Sequence, residues 1–91
     1  MLPGKLQLGS EAVFVDYELE TIWEGKRRLI RGRCVLRQGP GPELSRALLE
    51  QTAANLVTDE GQPLHVEFTK YANGTEVEFL VLPPTGYPLN R

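Results

Sequence analysis

The tightest constraint in the sequence is the dipeptide Asn73-Gly74 set between two alternating runs, residues 64–71 and 75–82. Asn-Gly supplies the two positive φ values of a type I′ turn, whose twist matches that of the strands it joins. A two-residue loop there predicts Val66 opposite Val81 and Phe68 opposite Phe79 on one face. The other face then pairs Thr69 with Glu78 and Tyr71 with Glu76. The first set is a core face and the second a solvated one.

A second hairpin precedes it. Val13, Val15, Tyr17, Leu19 and Trp23 share one parity of residues 12–23, while Asp16, Glu18 and Glu20 share the other. Residues 27–37 repeat the device, with Ile30, Cys34 and Leu36 against Arg27, Arg31, Arg33 and Arg37. A two-residue loop at Glu24-Gly25 pairs Glu18 with Arg31 and Asp16 with Arg33, and sets Tyr17 across from Gly32 and Phe14 across from Val35. A four-residue loop keeps the same faces and pairs Glu20 with Arg31 and Glu18 with Arg33. Both registers set acid against base, so charge does not choose between them.

Between the hairpins, Gly39-Pro40-Gly41-Pro42 ends the strand, and Pro42 suits the first turn of a helix. Leu44, Leu48, Thr52 and Leu56 then recur at helical spacing with Leu49 beside them, and Arg46 and Glu50 form an i, i+4 pair. The spacing predicts a helix running to a stop at Thr58–Gly61. Leu6 and Leu8 alternate, so residues 1–10 can add a short N-terminal edge strand. The expected fold is α+β in the order β-β-α-β-β: two antiparallel hairpins in a four-stranded sheet, with one helix packed on its apolar face. It forms one domain over residues 1–82, followed by an extended, Pro-rich C-terminal tail at 83–91.

At 91 residues with 41% hydrophobic and 24% charged side chains, the composition is that of a folding chain. Cys34 is the single cysteine and cannot form an internal disulfide, and no charged segment followed by an apolar one opens the sequence. The expectation is a cytoplasmic chain. No apolar run reaches the roughly 20 residues that a membrane helix needs. The net charge of −2 disfavours a dedicated nucleic-acid binder.

Three readings of the surface follow. Phe14, Ile22, Leu29, Val35, Leu80 and Leu82 all fall on the solvated face, and apolar residues gathered there predict an interface. The leading expectation is therefore a non-enzymatic protein-interaction module, binding itself as a homodimer or larger homo-oligomer through a sheet face or edge, or else binding another protein. The alternative is a nucleic-acid-binding or regulatory domain. Arg27, Arg31, Arg33 and Arg37 project guanidinium groups about 7 Å apart, with Tyr71 as a stacking group. Against it, Asp16, Glu18, Glu76 and Glu78 share the arginines' face and can neutralise them within the sheet.

An enzymatic reading would rest on His65, the one histidine, with Glu67 and Tyr71 along the same strand. No nucleophile is tied to it by spacing, so no catalytic residue is assigned. Cys34 has core parity, which makes it a small buried hydrophobe rather than a nucleophile. One cysteine and one histidine do not make a zinc site, and no cofactor motif is present, so neither a metal nor a cofactor is expected.

Overall fold

The computed structural model describes residues 1–82. The elements in chain order are β1 (Leu2–Leu8), β2 (Glu11–Glu24), β3 (Arg27–Leu36), α1 (Pro42–Glu50), β4 (Ala53–Val57), β5 (Pro63–Ala72) and β6 (Glu76–Val81). The strands form a closed antiparallel barrel in the order β1-β2-β3-β6-β5-β4, sealed where β1 pairs with β4. This overturns the four-stranded α+β sheet. The expected extended tail lies outside the described residues.

Two segments account for the correction. The N-terminal residues are not an optional edge: β1 is bonded on both sides, and Leu6 is fully buried with partners Val13 and Leu56. The helix is shorter than its apolar spacing predicts. It stops at Glu50 because Gln51 turns left-handed, at φ 57° and ψ 46°, and the Thr52 N–H bonds back to the Ala47 carbonyl at 3.0 Å. This is a Schellman-type closure built without glycine.

Beyond it, Ala54 and Leu56 face inward and Asn55 outward as strand β4. Leu56 satisfies a helical period from Leu48 and a strand period from Ala54 equally well. The choice is made by distant backbone, because β1 and β5 each present an edge that only a strand between them can satisfy.

Both hairpins form, with adjusted registers. In the first, Glu24 pairs with Arg27 around a Gly25-Lys26 loop, with Gly25 at φ 64°. Glycine at the first loop position suits a type II′ turn. The resulting register pairs Glu20 with Arg31, Glu18 with Arg33 and Asp16 with Val35, as the longer-loop alternative requires. Gly32 accordingly lies opposite Leu19, not Tyr17. A Cβ at Gly32 would come within 2.7 Å of Phe79 Cζ and of the Glu18 carbonyl, and within 2.8 Å of Leu19.

In the second hairpin Asn73 and Gly74 take φ 59° and 72°, as their pairing predicts. Val66 meets Val81 and Phe68 meets Phe79, but a bulge between Phe68 and Lys70 shifts the rest. Lys70, rather than Thr69, then faces Glu78, and Tyr71 faces Val77 instead of Glu76. A bulge leaves a strand carbonyl without its ladder partner. The Gln51 side-chain amide donates to the Thr69 carbonyl at 3.0 Å.

Inside the barrel lies one apolar core containing Val13, Val15, Tyr17, Cys34, Leu36, Val66, Phe68, Val77 and Phe79. At one end α1 seals it with Leu44, Ala47 and Leu48. Pro42 has no N–H to satisfy. The next two N–H groups, of Glu43 and Leu44, donate to the two carboxylate oxygens of Glu11 at 3.0 and 2.9 Å. A carboxylate from the start of β2 thus takes the place of the missing side-chain cap and meets the positive end of the helix dipole.

At the other end the Tyr17 hydroxyl donates to Asp59 Oδ1 at 2.8 Å and accepts from the Asp59 N–H at 3.3 Å, tying the β4–β5 turn over the barrel mouth. Burial foremost, with the Asp59 carboxylate adding to it, holds the Tyr17 phenol above its ordinary pKa.

Candidate protein-interaction surface

The feature that sets the surface apart is a mismatch of strand lengths. β2 runs for 14 residues, whereas β1 and β6 run for 7 and 6. β1 pairs with β2 only as far as Tyr17, and β6 pairs with β3 only over Arg31–Val35. Glu18–Glu24 therefore runs past β1 for about 20 Å, and among the described residues its outer part, Thr21–Glu24 paired with Arg27–Ile30, is a two-stranded tip about 10 Å long; this overhang is the β2–β3 arm.

Alternation persists along this arm, but the parity that points inward in the barrel has no interior left to point into. Leu19 is 40% exposed and Trp23 65% exposed, and Met1 and Leu2 are exposed at the adjoining rim. These residues carry the core parity of the sequence pattern, which does not register where the flanking strands stop. The expectation that places Leu19 and Trp23 with the core fails for that reason.

The six apolar residues predicted on the solvated face all lie on the outside of the barrel, but they do not form one patch. Ile22 pairs directly with Leu29, and with Leu80 they line an open groove of about 800 Å³ along the base of the arm. Leu82 follows two residues beyond Leu80 and is half-buried. Val35 sits instead between Asp16 and Glu76, and Phe14 lies toward the helix end of the barrel, 62% exposed, beside Arg37 and Gln38. The predicted Phe14–Val35 contact belongs to the register that does not form.

A belt of ion pairs separates the two groups. Arg31 meets Glu20 at 2.6 Å, Arg33 meets Glu18 at 2.6 Å and Arg37 meets Asp16 at 3.6 Å. The Glu18 hydrogen bond, with Glu76 and Glu78 nearby, holds Arg33 further above its ordinary pKa. Three of the four arginines considered for nucleic-acid contact are thus matched to carboxylates, and only Arg27 of that set has no ion pair among the described residues.

Tyr71 is turned away from them by the β5 bulge. It is half-buried against the core and donates its hydroxyl to the Gly74 carbonyl at 3.1 Å. Among the described residues, the cations without an ion pair at the tip are Lys26, Arg27 and Arg28, and Arg28 stands directly across from Trp23. Lys26, Arg28 and Trp23 have no place in the arginine-row reading, because a row at two-residue spacing skips them.

Among the described residues, Asn55 is the one side chain within hydrogen-bond distance of the His65 ring. The His65 Nδ1 lies 3.4 Å from Asn55 Oδ1 on an exposed stretch of sheet, and Tyr71 is on the other face. Cys34 is buried, and burial pushes its thiol up to about 12, which keeps it protonated and unreactive at neutral pH. Among the described residues no group of His, Cys, Asp and Glu could hold a metal ion, and no helix is long and apolar enough to cross a membrane. Comparison with protein-family models, curated proteins and solved structures gives no match to this chain.

Proposed function

We propose that the chain is a non-enzymatic protein-interaction module that self-associates through the β2–β3 arm. The single observation that carries this reading is the overhang itself: a two-stranded ribbon with apolar side chains on both faces and, among the described residues, no third strand beside it. Such a ribbon is marginal in water on its own. Burying an exposed Trp or Leu side chain against a partner contributes roughly 1.5–3 kcal/mol. Leu19 and Trp23, together with Met1 and Leu2 at the rim, are exposed apolar side chains available to a second copy. A face-to-face contact through these side chains leaves the Glu18–Arg33 and Glu20–Arg31 pairs on the opposite side, where water solvates them.

Light scattering over a concentration series, at low and high salt, tests this reading. The expected result is a mass above the 10.2 kDa monomer that salt does not dissociate. The double variant Leu19→Ser/Trp23→Ser should return to monomer with an unchanged circular dichroism spectrum. A monomer at every concentration, or association unaffected by the double variant, would rule the arm out as a self-association element.

A further inference from the structure

We propose that the second copy docks on the arm in antiparallel orientation, so that the cationic tip of each arm meets the acidic β4–β5 turn at the base of the other. This rests on reading the arm as a self-association element, and adds the orientation of the two copies and the groups that fix it. The contact uses a face of the arm and not the edge of β3.

Cross-strand partners share a face of an antiparallel ribbon. Leu19 and Gly32, Thr21 and Ile30, and Trp23 and Arg28 therefore line the side of the arm that continues the inward parity of the barrel. Arg28 is the one charged side chain of these six, and it stands at the outer end with Lys26 in the turn beside it, both exposed. At the inner end the same parity reaches Tyr17, whose hydroxyl bonds to Asp59. Asp59 and Glu60 are both exposed there. Their turn is closed by the Thr58 N–H donating to the Gln62 carbonyl and the Gly61 N–H donating to the Thr58 carbonyl, each at 2.9 Å, which fixes the backbone carrying the two carboxylates.

The face thus runs from two carboxylates through an uncharged stretch to two cations, over the roughly 20 Å that separate Tyr17 from Trp23 along β2. Among the described residues none of the four charged groups has an ion pair. Such a face complements itself in one orientation only. Two copies laid parallel set tip cations against tip cations and carboxylates against carboxylates. Related by a two-fold axis across the arm, they lay Leu19 of each toward Trp23 of the other and bring each tip to the opposing turn, so the favourable contact is made twice. Charges at the rim of an interface fix register more than affinity, so the apolar middle holds the copies together and the ends orient them.

Sedimentation equilibrium of the full chain at low salt tests the orientation. Arg28→Glu should weaken dimerisation by about fivefold or more, and Glu60→Lys likewise, because each dimer contains the contact twice. Both changes in one chain should restore the association to within about twofold of the original. Parallel copies predict no loss from either single change, since like charge still meets like. A carbodiimide, which joins an amine directly to a carboxylate, should also link Lys26 of one copy to Glu60 of the other, read by mass spectrometry on a mixture of isotopically light and heavy protein. Either single change without effect, a loss that the double change does not restore, or no Lys26–Glu60 link between copies would overturn the orientation. If that happens while Leu19→Ser/Trp23→Ser still dissociates the protein, only this inference falls. If the unaltered protein is monomeric at every concentration, the reading of the arm falls and the orientation falls with it.

Discussion

The two ends of the barrel solve the same problem in opposite ways. At the helix end, the inward-facing side chains are covered: α1 lays Leu44, Ala47 and Leu48 over the opening, and Glu11 satisfies the helix's first free N–H groups, while Phe14 on the outer face and Leu49 on the helix stay exposed. At the arm end, closure stops at Tyr17 and its bonds to Asp59, while β2 and β3 continue outward with Leu19 and Trp23 uncovered. One end covers the inward-facing parity of its strands, and the other leaves that parity exposed. A barrel could stop cleanly at both ends with strands of equal length, so stability of the barrel does not explain the extra length of β2.

Substitutions at the two ends should therefore differ sharply. Leu48→Ala, which opens a cavity under the helix, should cost about 3 kcal/mol in chemical denaturation. Trp23→Ala, measured at a concentration low enough to keep the protein monomeric, should change stability by less than about 0.5 kcal/mol. A large loss at Trp23 in the monomer would show that the arm folds back on its own barrel, and would erase the contrast.

Gly32→Ala sits where barrel becomes arm, and its Cβ would strike Phe79 Cζ, Leu19 and the Glu18 carbonyl. A cost of about 2 kcal/mol is expected, in the range for overpacking against a backbone that cannot yield. Glu11→Ala removes the remote helix cap and should cost about 1 kcal/mol by denaturation, with Glu11→Gln retaining part of it.

The smallest effect at neutral pH comes from the buried thiol and phenol. Both folded pKa values are raised, to about 12 for Cys34 and upward from 10.0 for Tyr17. The unfolded chain thus ionises first, and stability that is fully present below about pH 9 declines as pH rises through the Cys34 value. Denaturation between pH 8 and pH 11 should show that decline, and Cys34→Ala should flatten it. Native protein at pH 8 should also resist thiol alkylation until it unfolds.

The local devices of the fold were legible in the sequence. Asn73-Gly74 makes its turn, Pro42 begins the helix, and the acid–base rows on β2 and β3 face each other, because each depends on neighbours in sequence or on one paired strand. What was not legible depends on distant backbone. β4 exists because β1 and β5 need a strand between them, and nothing in Ala53–Val57 alone distinguishes that strand from another turn and a half of helix. The bulge that turns Tyr71 inward is held by Gln51, which only the helix stop brings within reach of Thr69.

The candidate surface was half legible for the same reason. Ile22, Leu29 and Leu80 are found by parity and do meet in a groove. Leu19 and Trp23 are missed because parity gives the direction of a side chain but not whether anything lies there to cover it. Phe14 and Val35 were separated by a shift of one hydrogen-bonded pair in the hairpin register.

The most direct test of the account is amide hydrogen exchange followed across a concentration series. The account predicts that amides of Glu18–Glu24 and Arg27–Ile30 exchange rapidly in dilute protein and become protected as concentration rises, while those of Val13–Tyr17 and Val77–Phe79 stay protected throughout. Arm amides that exchange equally fast at every concentration, or that are as protected in dilute monomer as the barrel strands, would contradict it.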